Sequence, residues 1–350
     1  MKKKILVAPL NWGIGHATRC VPVINQLVKQ GFEPVIASDG DALRYLEKEF
    51  PKLNAYKLPA YDIKYSNNSY FFKFNLLVQI PKINKAVADE FKVVQQLIID
   101  ENIKGIISDN RFGVQSKNIP SIYITHQINV LSGITTFFTS KVHQKIIKKF
   151  DQVWVPDTKD KFNLSGNLST NINPKIKPTY IGFLSRFKNQ VIQKDNYKYD
   201  FLVLLSGTEP QRTILEKKLI AQLENSIKKV LFVRGKIDLK TTFKNTKNIT
   251  FINFLTQKDL QKSIIESNIV IARSGYSTMM DLAVLQKICF FIPTPNQTEQ
   301  EYLAKHLDTW KIAPFSTQKK FKIAMLDKVK HYKGFKNRNI NKKLDFSVFK

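Results

Sequence analysis

Apolar runs of strand length alternate with helical patterns along the first half of the chain. Six near-continuously apolar runs predict strands, at Lys4–Leu10, Pro34–Ser38, Gly105–Ser108, Ser121–Thr125, Gln152–Val155 and Thr179–Phe183. Helical spacing of apolar residues fills the intervals, at Val21–Gln30, Ala42–Glu49, Asn84–Asn102 and Ser140–Lys149. Strands that are apolar along their whole length are typical of parallel sheets covered on both faces. The alternation therefore predicts strand-helix-strand crossovers and a doubly wound sheet.

The same rhythm begins again after a polar stretch at 185–198. The second set of predicted strands is Phe201–Leu205, Lys229–Val233, Thr250–Phe254, Ile269–Ala272 and Cys289–Pro293. The helices predicted between them are Ile214–Ser226, Asp259–Glu266, Thr278–Leu285 and Gln300–Leu307. We therefore expect an α/β protein with two Rossmann-like domains, 1–187 and 198–325, and a basic closing helix or frayed tail at 326–350. Ligands of open parallel sheets bind beyond the carboxyl ends of the strands, so the chemistry is expected in the loops there.

The formal net charge of +28 would attract nucleic acid, an anionic membrane surface or a phosphorylated substrate. Only eight of the 56 basic residues are arginine, and lysine, asparagine and isoleucine are abundant throughout, as an A/T-biased genome would produce. No RNP, zinc-finger or helix-turn-helix signature is present, and base-reading interfaces favour arginine. We expect no nucleic-acid partner, and an anionic membrane surface stays open.

Two features bear on where the protein resides. The apolar run after Lys2–Lys4 stops at Asn11, which is too short for a signal peptide or a membrane span and favours a cytoplasmic protein. The apolar segment YFFKFNLLVQIPKI, 70–83, predicts a buried helix, a peripheral contact with the inner face of a membrane, or the lining of an acceptor groove. The two cysteines, Cys20 and Cys289, lie in apolar surroundings and are expected to be reduced core residues.

The first loop, after the strand that ends near Leu10, carries Gly13, Gly15 and His16. Glycines allow close approach of the backbone to a ligand, and a helix that follows would offer its first amides to an anion. A histidine there could act as a base, because its unperturbed pKa lies near neutrality. A tight turn with a structural histidine is the alternative. Arg19 occupies the place of the third glycine of a dinucleotide fingerprint, which argues against NAD and FAD.

Three loops of the second half carry small and polar residues after predicted strands. The turn at 206–210 contains Gly207 and Thr208, and either binds a phosphate or simply caps a helix. The loop at 273–278 supplies a glycine and several hydroxyl groups, and a third loop leads into a helix. The candidate residues in the last two loops and the helices after them are Arg273, Ser274, Gly275, Ser277, Thr278, Asp281, Glu299 and Gln300. The acids among them could also be favourable first-turn charges.

The motif Arg273-Ser274-Gly275-x-x-Thr278-x-x-Asp281, followed by Pro293 and Gln300, resembles the nucleotide-sugar site of the GT-B glycosyltransferases. Among them the chain is most similar to the family 28, MurG-like enzymes, and the resemblance extends over most of its length. It implies a GT-B fold, in which two Rossmann-like doubly wound parallel-sheet domains face an interdomain cleft. It also implies an enzyme that moves a hexose or N-acetylhexosamine from a UDP-sugar to an acceptor hydroxyl.

By this resemblance the second domain binds the donor. Asp281, where the relatives usually carry Glu, would bind the ribose, and backbone near Leu255 would meet the base. Thr208 and 274–277 would hold the diphosphate, while Glu299 and Gln300 would contact the sugar. Glu301 stands where the family has a second glutamine, which leaves the identity of the sugar open.

In the first domain the resemblance makes His16 either the acceptor-side base or a diphosphate contact. His126 and Asn129 match a histidine and an asparagine of the family, but Gln127 replaces the acidic residue between them. Asp109 is an alternative base or a turn cap, and with Arg111 it is expected to point into the cleft.

The family's chemistry implies inversion by direct displacement at the anomeric carbon, and an acceptor that is lipid-linked in the type enzyme. The sequence has no paired histidines at the spacing of metal ligands, so no metal and no cofactor besides the UDP-sugar donor are expected. The first loop also resembles that of nucleotide-sugar hydrolases, in which a histidine activates water. A hydrolase or an epimerase on the same fold is therefore the alternative.

Overall fold

Two parallel sheets organise the chain in this computed structural model. It describes residues 2–61, 69–131, 136–160, 163–170, 175–188, 196–236, 243–335 and 342–350, without the side chains of 69–80 and 137–138. The chain divides into two compact units. Unit 1 comprises Met1–Lys159, Asn167–Leu184 and Asn341–Lys350, and unit 2 comprises Asp160–Gly166 and Ser185–Ile340.

Unit 1 is built on a sheet whose described strands all pair in parallel, in the order β3-β2-β1-β4-β5-β6-β7. These strands are β1 (Lys4–Pro9), β2 (Glu33–Ser38), β3 (Ala55–Lys57), β4 (Ile103–Asp109), β5 (Ser121–Ile124), β6 (Gln152–Val155) and β7 (Pro178–Tyr180). The helices are α1 (Gly15–Lys29), α2 (Gly40–Glu49), α3 (Ser69–Asp100) and α4 (Thr136–Ile147). The strand order changes direction between β1 and β4, and this switch point opens a crevice beyond their carboxyl ends.

Unit 2 repeats the design with the strand order β10-β9-β8-β11-β12, again parallel throughout the described part. The strands are β8 (Tyr199–Leu204), β9 (Val230–Val233), β10 (Ile249–Ile252), β11 (Ser267–Ala272) and β12 (Cys289–Phe291). The helices are α5 (Gln211–Leu223), α6 (Gln257–Ile265), α7 (Tyr276–Val284) and α8 (Thr298–Thr309). The switch point of this sheet lies between β8 and β11.

The doubly wound parallel sheets predicted from the sequence are confirmed. Every predicted strand is present, because a strand buried on both faces must be apolar at every position: the residues of β1 after Lys4 are all buried. Strand β3 was not predicted, since its three residues are half-buried or exposed and carry no apolar run. Both cysteines are free and buried, as expected.

Two helices begin earlier than the periodicity predicted. Helix α1 starts at Gly15 instead of Val21, which brings His16 into its first turn. Helix α3 starts at Ser69 instead of Asn84 and continues through Pro81, so the apolar segment at 70–83 is helical. The side chains of 69–80, on which the choice between a buried helix and a membrane contact depends, lie outside the described residues. Within the described ranges, no helix has the length and apolar character needed to span a bilayer.

The C-terminal residues combine short helical turns with a packed end. Part of this region is a 3-10 helix, Ile323–His331, and the final residues 342–350 pack in unit 1. Phe346 and Phe349 are buried there and meet Phe32 edge-on, with ring centroids 6.0 and 6.3 Å away. Burial of two aromatic side chains within four residues outweighs the lysine content of 342–350, so these final residues are packed.

We expect Phe346→Ala to lower the free energy of unfolding by about 3–5 kcal/mol, because it removes a buried ring and leaves a cavity. Phe91→Ala is the matched control, since Phe91 is 38% exposed on α3 of the same unit and its loss should change stability by about 0.5 kcal/mol. Denaturant titration followed by circular dichroism measures both. Equal midpoints for the two variants would show that the C-terminal segment does not stabilise unit 1.

Candidate active site

The switch point of unit 1 brings the first loop to the end of β4. The backbone N–H of Leu10 donates to the carbonyl of Asp109, 2.9 Å away, and Gly13 turns the chain with a φ of +79°. Helix α1 then begins at Gly15, so that His16 faces the end of the neighbouring strand. Its Nδ1 lies 2.8 Å from Oδ1 of Asp109. The structure thus pairs two residues that are 93 positions apart in the sequence.

Arg19 completes this cluster. It lies one helical turn after His16, and residues three apart in a helix share a face. Its Nε and Nη2 donate to the two carboxylate oxygens of Asp109, and Nη2 lies 2.9 Å from Nδ1 of His16. In the sequence, Arg19 was notable only because it occupies the place of the third glycine of a dinucleotide-binding fingerprint. The i, i+3 spacing from His16 was the available signal for its role.

These contacts determine which nitrogen of the His16 ring carries the proton. Nδ1 faces both a carboxylate that accepts and a guanidinium that donates. Hydrogen bonds to an ionised carboxylate are the stronger kind, so we assign the proton to Nδ1, donating to Asp109. The other nitrogen, Nε2, then carries the lone pair, and the side chain is 16% exposed. A ring in this state can accept a proton from a ligand.

The electrostatics of the cluster keep His16 neutral and Asp109 ionised. Burial and then the charge of Arg19 lower the pKa of His16 by more than Asp109 raises it. Burial alone would raise the pKa of Asp109, but the charge of Arg19 and the hydrogen bonds from Arg19 and His16 outweigh it and hold that pKa below its usual range. Asp109 is also fully buried. Of the two side chains, His16 is thus the one whose protonation state allows it to accept a proton, and Asp109 fixes the orientation of its ring.

The two other candidate residues of the first domain, His126 and Asn129, make different contacts in the structure. His126 joins the cluster: it is buried, and its Nδ1 lies 3.1 Å from Nη1 of Arg19. Asn129 holds a loop, because its Nδ2 donates to the carbonyls of Asn167 and Thr170 at 3.0 and 2.6 Å.

The expectation that Arg111 points into a cleft is wrong. Its side chain is fully buried and binds Glu90, Oδ1 of Asp39 at 2.6 Å and the carbonyl of Pro59 at 2.6 Å. Glu90 also accepts from Tyr61 and from the backbone N–H of Gly113. Buried charges persist only when they are paired in this way. Arg111 therefore joins the three segments that contain Asp39, Pro59 and Glu90.

In unit 2 the loops after β8 and β11 leave the sheet at the corresponding switch point. Gly207 is exposed and has a φ of +100°, and Thr208 beside it is also exposed. Helix α7, which follows β11, has Gly275 as its N-cap residue. A Cβ added to Gly275 would meet only Oγ1 of Thr278, at 4.0 Å. A glycine cap brings no side-chain oxygen to the first amides of the helix, which leaves room for an anion at this end. Ser277 and Thr278 lie in the first turn.

Buried polar residues hold these loops together. Arg273 donates from Nη1 to the carbonyls of Ile292 and Pro293, at 3.0 and 3.1 Å, and from Nη2 to that of Gln211 at 2.9 Å. It therefore joins the loops after β11 and β12 to the start of α5, and burial lowers its pKa to about 10. The hydroxyl of Ser274 donates to the carbonyl of Gln300 at 2.7 Å.

The hydroxyl of Thr294, after β12, is a feature that the sequence did not single out. Thr294 is 8% exposed, and within the described part of the chain its Oγ1 has no hydrogen-bond partner. It is the nearest atom to an added Cβ on Gly207, at 3.6 Å. A buried hydroxyl without a partner is costly, so this oxygen is a candidate ligand contact.

The residues expected to contact the donor sugar and the base differ in how far they are buried. Gln300 is buried, and its Oε1 accepts from the backbone N–H of Thr294 at 2.9 Å. Glu299 is half-buried in the first turn of α8, and Leu255 is half-buried between β10 and α6.

Asp281 lies inside α7 and is only 6% exposed. One carboxylate oxygen accepts from Oγ of Ser185 at 2.7 Å, and the other accepts from Nε of Arg186 at 3.2 Å. Burial raises its pKa despite the opposing charge of Arg186. Asp281 thus anchors the segment at 185–186, a role that the sequence did not predict. Across the described residues, no group of three or more His, Cys, Asp or Glu side chains is arranged to hold a metal ion.

Two doubly wound parallel sheets, each with polar loops at its switch point, define the GT-B fold class predicted from the sequence. Comparison with known proteins agrees. The chain is 24% identical over 315 residues to an uncharacterized glycosyltransferase of Methanosarcina mazei, covering 85% of this chain and 81% of that protein. It is 23% identical over 314 residues to the UDP-N-acetylglucosamine--N-acetylmuramyl-(pentapeptide) pyrophosphoryl-undecaprenol N-acetylglucosamine transferase of Haemophilus ducreyi, covering 87% and 81%. The crystal structure of MurG from Acinetobacter baumannii superposes with a TM-score of 0.56 at 15% identity, covering 94% of this chain and 90% of that one.

Residues 3–330 match the model of the family described as Glycosyl transferase family 1, and the chain belongs to that family. The protein is therefore a glycosyltransferase, and the resemblance to MurG-like enzymes is confirmed.

We expect Arg19→Gln to raise the pKa of His16, because it removes a positive charge that disfavours the imidazolium and frees the Asp109 carboxylate that favours it. In the unsubstituted protein His16 should titrate below 6.5, its ordinary value. Titration of the imidazole nitrogens by NMR measures both values.

Arg44→Gln is the control for this change, since Arg44 is exposed on α2 and pairs with Asp41 there. Arg19→Lys keeps the charge and should leave the pKa of His16 nearer to that of the unsubstituted protein. An unchanged His16 pKa in a folded Arg19→Gln protein would contradict the electrostatic role given to Arg19.

Proposed function

We propose that this glycosyltransferase moves a hexose or N-acetylhexosamine from a UDP-sugar to a hydroxyl group of a lipid-linked acceptor, with inversion and without a metal ion. The observation that carries the proposal is the cluster of His16, Asp109 and Arg19 at the switch point of unit 1. The name of the Haemophilus ducreyi relative supports the substrate classes, since it pairs a UDP-sugar with an undecaprenol-linked acceptor.

His16 acts as the general base on the acceptor. As the acceptor oxygen attacks the anomeric carbon, Nε2 takes its proton, and the bond from that carbon to the UDP oxygen breaks on the opposite face. The resulting imidazolium is stabilised by Asp109, which accepts from Nδ1 at 2.8 Å. General base catalysis of this kind contributes about 10²–10⁴-fold in rate.

Unit 2 binds the donor and stabilises the departing UDP. The start of α7 at Gly275, the exposed turn at Gly207 and the hydroxyl of Thr294 supply amides and a donor to the diphosphate. Such preorganised groups stabilise charge that develops in the transition state. Thr208 and 274–277 belong to the same diphosphate site in this proposal, and Thr278 lies beside it.

The remaining donor contacts follow the family resemblance. Backbone near Leu255 meets the base, and Glu299 with Gln300 contacts the sugar. Asp281 binds the ribose, which requires a ribose hydroxyl to replace one of its two bonds, to Ser185 or to Arg186. The net charge of +28 would favour a peripheral position on an anionic membrane that holds a lipid-linked acceptor.

We expect His16→Ala to reduce turnover by about 10²–10⁴-fold, because it removes the group that takes the proton of the acceptor. UDP affinity, measured by calorimetry, should stay unchanged, since His16 belongs to unit 1 and the proposed UDP contacts belong to unit 2. Turnover is measured as transfer from UDP-N-acetylglucosamine and UDP-glucose to a polyprenyl-phosphate-linked sugar. The configuration of the new bond, read by NMR, tests inversion.

His306→Ala is the control for the substitution, because His306 lies on α8 and has no role in the proposal. Full activity in the His16→Ala protein would remove His16 from the mechanism. Stoichiometric release of free sugar without an acceptor would favour the nucleotide-sugar hydrolase instead, with His16 activating water.

Asp281→Ala tests the ribose contact. We expect it to weaken UDP binding about tenfold, the loss of a hydrogen bond to a charged group. Ser185→Ala removes one of the same hydrogen bonds but leaves the carboxylate in place, so its UDP affinity should be nearly unchanged. Equal losses in both variants, or none in either, would mean that Asp281 acts only by holding 185–186.

A further inference from the structure

We infer that Asn110 is a positioning residue for His16, on which it acts through the carboxylate of Asp109. Asn110 directly follows β4, and its Nδ2 donates to Oδ1 of Asp109 at 3.3 Å. The same oxygen lies 2.8 Å from Nδ1 of His16. The family motif gives Asn110 no role, and the inference rests on the proposed function of His16 as the base.

The backbone brings the amide of Asn110 beside the carboxylate that precedes it. In a strand, successive side chains point to opposite faces of the sheet, so the two groups would be separated if β4 continued. Asn110 instead has a φ of +59°, in the left-handed region that asparagine adopts more readily than most residues. This residue ends the alternation of the strand and lets the two neighbouring side chains converge.

The orientation of the Asn110 amide is fixed from two sides. Asp109 is ionised and can only accept, so the amide must face it with its N–H group. Oδ1 of Asn110 then faces Tyr123, whose hydroxyl donates to it at 3.1 Å. Tyr123 is fully buried, and burial raises its pKa well above the ordinary value, so the hydroxyl keeps its proton. Both neighbours therefore hold the amide with its donor toward Asp109.

The amide of Asn110 weakens the attraction of Asp109 for the proton of His16. A hydrogen bond stabilises the ionised form of a carboxylate, which then attracts a neighbouring proton less strongly. Arg19 also donates to Oδ1 of Asp109, and Asn110 adds a neutral donor at that oxygen. The imidazolium is less favoured as a result, so that His16 stays neutral down to a lower pH.

The other ionisable groups around the cluster are unaffected by the loss of a neutral amide. Those facing His16 or Asp109 are Arg19 and Cys20 on α1 and His126 after β5. Burial raises the pKa of Cys20 well above its ordinary value, so its thiol is neutral. On α4, Nε2 of His143 lies 3.2 Å from the Tyr123 hydroxyl, and burial lowers the pKa of His143 to about 4. That ring is neutral as well and adds no charge.

Asn110→Gly tests the inference, because glycine adopts the same left-handed backbone and only the amide is lost. NMR titration of the imidazole nitrogens in the full chain should show that the pKa of His16 rises by about 0.5, as expected for the loss of one hydrogen bond. The acidic limb of kcat/KM for the acceptor against pH should move upward by the same amount, with UDP affinity unchanged. Tyr123→Phe keeps the amide but removes one group that fixes it, so the pKa of His16 should rise by less.

Two control variants make the same chemical changes elsewhere. Asn102→Gly replaces an exposed asparagine that also has a left-handed backbone, with a φ of +54°, just before β4. Tyr332→Phe removes a hydroxyl that binds the carboxylate of Asp308 in unit 2. Neither should move the pKa of His16 or the pH profile.

An unchanged or lowered pKa of His16 in a folded Asn110→Gly protein overturns the inference. Where that variant does not fold, an unchanged pKa in Tyr123→Phe does so. The titration needs no turnover, which separates this inference from the proposed function. If the pKa rises in Asn110→Gly but His16→Ala keeps its turnover, the proposed base is wrong while the positioning of His16 stands. If His16→Ala loses its turnover but the pKa does not respond to Asn110→Gly, the positioning role is wrong while the base stands.

Discussion

The buried ion pair between Arg19 and Asp109 is the interaction on which the candidate active site depends. Both side chains are almost fully shielded from water, and an isolated charge in such a place would be strongly destabilising. Each charge persists because the other is beside it. The ion pair also affects His16. Asp109 stabilises the protonated form of its imidazole, and the positive charge of Arg19 offsets much of that stabilisation. The histidine is held in position by a carboxylate and is still neutral, which is the state that a general base needs.

A switch point in the strand order positions the polar residues of both units. In each sheet the strand order reverses next to the first strand of the unit, and the loops that leave the two strands at that point diverge. Unit 1 fills the opening with ionisable side chains. Unit 2 fills it with glycines, hydroxyl groups and a helix start, and uses the buried Arg273 to hold three loops together. The first arrangement suits proton transfer, and the second suits a diphosphate.

Several polar residues that look functional in the sequence, or that bind such residues, also hold the structure together. Arg111 and Glu90 form a buried network under the loops, and Asn129 fastens a loop through its amide. Asp281 is bonded on both oxygens to the segment that enters unit 2. A side chain with a motif's residue type at a motif's spacing can do either job, because the hydrogen-bonding capacity that recognises a ligand also satisfies buried backbone and charge.

The sequence by itself determined the architecture, since strands covered on both faces must be continuously apolar and the helices between them must be amphipathic. It also marked the first loop, because glycines next to a histidine after a strand are a local pattern. The tertiary structure alone decided which partners these residues meet. His16 and Asp109 are distant in the chain and become neighbours only through the pairing of β1 with β4. Likewise, the burial that sets the pKa values of this pair, and the packing that makes the C-terminal phenylalanines part of unit 1, come from contacts between distant segments that no local pattern encodes.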